Sequence, residues 1–148
     1  MKSIFDKTTR DEIIARINSL SDQSTAQWGK MNIFQMLRHC ILCEEMYLRN
    51  KKYKRAFIGR ILGKIGLKRF LKDESPLGKN APTRPAFRIS EMKGDVANEK
   101  RKWISLIEEY AHYSNEEFEH WFFGKMTKEQ VGQFVFKHTD HHLRQFNS

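Results

Sequence analysis

Three of the six histidines in this 148-residue chain fall within the five residues His138-Thr139-Asp140-His141-His142. In a helix the 138 and 142 rings stand about one turn apart on one face, a spacing at which two imidazoles share a metal ion. Two ligands alone bind weakly, so a third has to come from another element. His39 is the natural partner. It lies three residues after Met36 and four before Cys43, on or beside the apolar stripe Ile33, Met36, Leu37, Cys40, Ile41, Tyr47 and Leu48, and so aims toward an interior. Three neutral imidazoles favour zinc, nickel, iron(II) or copper over magnesium and calcium, which take oxygen ligands. A three-histidine site keeps a coordination position open, the arrangement of a catalytic rather than a closed structural metal. Such an ion lowers the pKa of bound water or polarises a substrate oxygen or thiol. His141 and Gln145 are the nearest candidates in sequence to steady the ligand rings, whereas Asp140 points to a different side of its helix.

Each of these features has a plainer reading. HxxxH spacings recur by chance, and histidines also sit on surfaces or, hydrogen-bonded, in cores. Cys40 and Cys43 read first as small buried apolar residues in a helix stripe, although Cys43 is one turn from His39 and a thiolate near the metal stays open. The aromatic run Phe118, Trp121, Phe122 and Phe123 reads as core before it reads as a substrate box.

Four helices are expected to position the histidines. Thr9 and Glu12 have the form of a capping box before Ile13, Ile14, Ile17 and Leu20, which predicts a helix over 9–20. Asn32 and Gln35 cap a second over 33–49, Asp95 a third over 96–113, and Thr127 with Gln130 a fourth over 128–145. Between the second and third lies a stretch too long for a bare loop. Phe57, Ile58, Ile61, Leu62 and Ile65 have helical spacing there, but Gly59, Gly63 and Gly66 predict short, irregular turns. Pro76, Pro82 and Pro85 predict an extended crossover over 73–87, and 116–125 reads as a loop plugging one end of the core. The pattern is all-α: a four-helix bundle with one long crossover, folded as a single domain over 1–148.

Two cysteines three positions apart cannot form a disulfide framework, and the first twenty residues contain no continuous apolar core. A cytoplasmic protein with no transmembrane segment is the expectation. The net charge of +9 is concentrated. Arg49, Lys51, Lys52, Lys54, Arg55, Arg60, Lys64, Lys68, Arg69 and Lys72 carry ten positive charges in a segment with no acid, and the rest is close to neutral. Such a segment, with Phe57, Ile61, Ile65 and Phe70 interleaved, suits an anionic membrane surface or nucleic acid, although charge runs are usually solvated faces.

Trp28-Gly29-Lys30-Met31, Gln35-Met36-Leu37-Arg38-His39-Cys40, Asn80-Ala81-Pro82-Thr83-Arg84-Pro85, His120-Trp121-Phe122-Phe123-Gly124-Lys125 and the run Lys137 to Phe146 together resemble a branch of the DinB-like superfamily. The order and spacing cover nearly the whole chain, with Trp121 standing where that branch usually has proline. The resemblance implies an up-up-down-down bundle, often dimeric. It also implies a divalent metal held by His39 of the second helix and by His138 and His142 of the last. Members of the superfamily include metal-dependent transferases that activate low-molecular-weight thiols, and metal-dependent hydrolases.

The expected function is therefore that of a metal-dependent enzyme on a small molecule, thiol-transferase-like or hydrolase-like. In the first case the metal lowers a thiol pKa; in the second, water attacks an amide or ester and a general base is needed that the sequence does not single out. The alternatives are a basic binding module and a metal-stabilised scaffold without turnover.

Overall fold

The computed structural model describes residues 1–81 and 83–148, in which the chain forms five α-helices and one very short hairpin. The helices are α1 (Lys7–Ser19), α2 (Ile33–Leu48), α3 (Phe57–Phe70), α4 (Val96–Glu109) and α5 (Lys128–Gln145); β1 (Glu119–His120) pairs antiparallel with β2 (Gly124–Lys125). Pro82, one of the three crossover prolines, lies outside the described residues.

Local chemistry starts most of these helices where expected. Asn32 and Gln35 form a reciprocal capping box on α2, as do Thr127 and Gln130 on α5, and the Asp95 carboxylate accepts from the Asn98 amide at the start of α4. The N-terminal box predicted at Thr9 does not form. Helix α1 begins at Lys7 behind Asp6, whose side chain makes no capping bond. Thr9 is buried in the core and Glu12 is taken by Lys2 at 2.5 Å, so tertiary contacts hold both members of the expected pair. The helix predicted over 96–113 stops at Glu109 and tightens into a 3₁₀ turn, Tyr110–His112.

Helix α2 packs on α4 and α5, and α1 packs on the same two, so these four share one core. Ile13 and Ile17 of α1, Met36, Leu37 and Cys40 of α2, Trp103 and Ile107 of α4, and Val135 and Leu143 of α5 are fully buried. The crossover returns along the N-terminal half of α2. There the Asn32 side chain donates to the Met92 carbonyl (2.8 Å) and the Gln35 side chain to the Ile89 carbonyl (3.1 Å), so the residues that cap α2 also fasten the crossover.

Helix α3 corrects the expectation of short, irregular turns. It is continuous for 14 residues because its glycines are contacts. A Cβ on Gly59 would stand 2.5 Å from the Phe122 carbonyl oxygen, and one on Gly63 would stand 2.3 Å from it. The backbones of α3 and of the Phe122–Phe123 turn therefore meet directly, and that close approach outweighs the conformational cost of glycine in a helix.

Candidate metal centre

Thr139 and Asp140 set the rotation of α5. Asp140 accepts from Arg16 of α1 (2.8 Å) and from Arg144 one turn along α5 (2.7 Å), which fixes that side of the helix against α1. The buried Thr139 hydroxyl donates to Glu44 of α2 (3.2 Å). With those two faces engaged, His138 and His142 meet His39. One ring nitrogen from each of the three lies within 4.8 Å of the other two. The ring centroids are 4.7 Å apart for His138 and His142, 4.8 Å for His39 and His142, and 5.5 Å for His39 and His138.

Hydrogen bonds decide which nitrogens remain available. His39 Nδ1 lies 2.9 Å from the Phe87 carbonyl, an acceptor, so Nδ1 carries the proton and Nε2 keeps its lone pair. His142 Nδ1 lies 3.0 Å from Gln145 Oε1, which has the same consequence. Gln145 is itself held, its amide donating to the Trp28 carbonyl at 2.8 Å. Gly29 follows Trp28 with φ of 81°, and a Cβ there would come within 2.8 Å of Gln145 Nε2. His138 Nδ1 is buried without a hydrogen-bond partner among the described residues. Orphaned buried nitrogens are costly unless something else satisfies the site.

This donor set fits a transition-metal ion. Two nitrogens each about 2.1 Å from a tetrahedral ion lie roughly 3.4 Å apart, so small ring rotations bring the triad to ligand spacing. Burial pushes His39 below its ordinary pKa, His138 well below it and His142 down to about 3. The mutual repulsion of the rings acts in the same direction on His138 and His142. All three are thus neutral at pH 7, the form in which imidazole ligates.

The Cys43 sulfur is 3.8 Å from His39 Nε2, but burial holds its pKa well above the ordinary thiol value, and Cys40 is held up in the same way. Both cysteines are free and buried. His141 makes no hydrogen bond to the triad among the described residues and packs against Trp28 at 5.6 Å. Of the two residues expected to steady the histidine rings, Gln145 is the one that bonds to one of them.

Three participants escaped the sequence reading. The Phe87 carbonyl belongs to a 3₁₀ turn of the crossover, Pro85–Phe87, and a backbone acceptor leaves no trace in residue type. Glu44 is wholly buried and accepts from Tyr110 (2.5 Å), Trp103 (3.4 Å) and Thr139, tying α2, α4 and α5 together behind the triad. Its signal was available: an acid one turn after Cys40 falls on the apolar face. His120 accepts the Phe122 and Phe123 amides on Nδ1 (3.1 and 3.2 Å) and locks the hairpin turn, and burial brings its pKa down to about 3. It packs on Phe134, which lies parallel to the His138 ring with centroids 6.2 Å apart. Of the aromatic run, Phe118 is core, and Trp121 and Phe123 pack half-buried against that core.

A family profile described as a protein of unknown function (DUF1569) matches residues 3–148. No curated protein and no solved structure matches the chain.

Proposed function

From a chain that belongs to this family of unknown function, we propose a metal-dependent enzyme whose divalent ion is held by His39, His138 and His142. One observation carries the reading. Three neutral rings from two helices offer nitrogens within 4.8 Å of one another, and the Nδ1 atoms of two of them are already tied to oxygen. When bound, the ion supplies Lewis acidity to a substrate oxygen or thiol at the coordination position the protein leaves open. The chain's own part is to hold the rings neutral, orient His39 through the Phe87 carbonyl and His142 through Gln145, and keep water from the side walled by Phe134.

The oxygens of Glu44 are committed to Tyr110, Trp103 and Thr139. The hydrolytic route therefore lacks an identified base, and thiol transfer, with a low-molecular-weight thiol as co-substrate, comes first. The fold we infer is a single DinB-like domain over 1–148, with α1, α2, α4 and α5 as an up-up-down-down bundle and α3 carried in its crossover. We also infer a cytoplasmic location, with which two buried free cysteines are compatible. No helix among the described residues is long and apolar enough to cross a membrane. A scaffold without turnover is the second reading, favoured by the way the triad links α2 to α5 inside the core.

Elemental analysis of protein purified without a histidine tag should give about one zinc, nickel or iron per chain. Reconstitution with cobalt(II) should give a ligand-field spectrum that His138→Ala abolishes. A folded protein that neither retains nor takes up any of these ions sinks the site. A loaded protein inert across panels of thiol–electrophile pairs and of amide and ester substrates leaves the scaffold.

A further inference from the structure

Helix α3 presents its side chains the opposite way round from a core helix. Gly59, Gly63 and Leu67 face inward, whereas Phe57, Ile58, Ile61, Leu62 and Ile65 are 79, 56, 63, 45 and 68% exposed. At helical pitch these five fall in one arc of about 140°. Arg60 and Lys64 border that arc on one side, and Lys68 and Arg69 fall within its angular range one turn further on, at the C-terminal end of the helix. No acid occurs between Arg49 and Lys72. Arg60, Lys68 and Arg69 make no ion pair among the described residues; Arg49, Lys51 and Arg55 are paired with acids from other segments.

We propose that α3 is a peripheral membrane anchor that lies in the plane of an anionic lipid surface. Its aliphatic arc would enter the boundary between headgroups and acyl chains, with its cations among the lipid phosphates. The charge pattern selects this occupant. Only a bilayer offers apolar depth with negative charge directly beside it, as the aliphatic arc and the cations along its flank and at its C-terminal end require. A second copy of the chain would bring the acid-free segment against itself, because a two-fold interface pairs each surface with its own image. The arc, roughly 21 Å by 10 Å, is also far smaller than the about 800 Å² per partner of a stable interface. Nucleic acid supplies the charge, but single strands are gripped by aromatic stacking, and four of the five exposed residues are aliphatic. The glycine contact gives the anchor a firm base. Because the backbone of α3 sits directly on the Phe122–Phe123 turn, the arc is held rigidly outward rather than carried on a mobile tail.

Flotation of the full chain with vesicles tests this. Protein should float with phosphatidylcholine vesicles containing about 30% phosphatidylglycerol at low salt, hardly at all with phosphatidylcholine alone, and several-fold less in 0.5 M salt. Ile61→Gln with Ile65→Gln, and separately Lys68→Glu with Arg69→Glu, should each lower the partition coefficient roughly tenfold or more. All four side chains are exposed, so the melting temperature should stay at the parent value. Phe57→Trp should add fluorescence that brominated lipid quenches. The proposal is overturned by absence of binding to anionic vesicles, or by binding that either pair leaves unchanged. It is equally overturned if Ile61→Gln with Ile65→Gln dissolves a dimer, or lowers oligonucleotide affinity, in a protein that does not float.

Discussion

Glu44 is the residue whose burial has the clearest consequence in solution. Burial moves its carboxyl up to about 7 from an ordinary 4.5, and the three hydrogen bonds it accepts only partly offset that cost. A raised folded-state pKa means that the native protein favours the protonated form. The associated stability is therefore complete below pH 4.5 and lost as pH rises through 7, by about 3 kcal/mol at most. His142 acts with the opposite sign, its contribution being present above 6.5 and lost as pH falls toward 3. Glu44→Gln removes only the first effect. Urea unfolding at pH 5 and pH 8 should show the variant gaining about 2–3 kcal/mol on the parent over that interval; a difference independent of pH would remove the assignment. Gln145→Ala should keep the fold yet lower metal affinity about 10–100-fold by freeing the His142 ring, measurable by competition with a chelating dye. The three histidines of the candidate site could be singled out in the sequence because metal ligation demands a residue type at a helical spacing. The Phe87 carbonyl could not, since any residue supplies that acceptor and only the path of the crossover brings it to His39.

Individual elements show the same division. The capping boxes on α2 and α5 involve residues three apart, so local sequence decides them, and both form as expected. Helix α3 was obscured because its glycines are explained by a partner some sixty residues away in the chain. That partner yields a contrasting pair of predictions. Gly63→Ala gains helix propensity of up to about 1 kcal/mol but drives a Cβ into the Phe122 backbone, which cannot yield cheaply; a net loss of about 1–2 kcal/mol is expected. Gly66→Ala meets only ring edges, Phe123 at 3.3 Å and Phe122 at 3.6 Å, which can turn aside. It should be neutral or slightly stabilising. Equal effects in chemical denaturation would show that the backbone contact does not govern α3.

For the molecule as a whole, an ion held as proposed would link binding to folding, since a ligand selective for the native state at a hundred times its dissociation constant adds about 2.7 kcal/mol. Thermal melts with and without a chelator should differ accordingly, and His39→Ala should erase the difference. The triad joins a residue of α2 to two of α5, across close to a hundred positions of chain. Contacts so distant in sequence close only after the intervening loop entropy has been overcome, which places them late on the route to the native state. An ion bridging them would then act as a brake on escape from the native basin and do little to hasten arrival. In stopped-flow experiments, chelation should raise the unfolding rate along the whole unfolding limb, with its slope unchanged, and leave refolding nearly untouched.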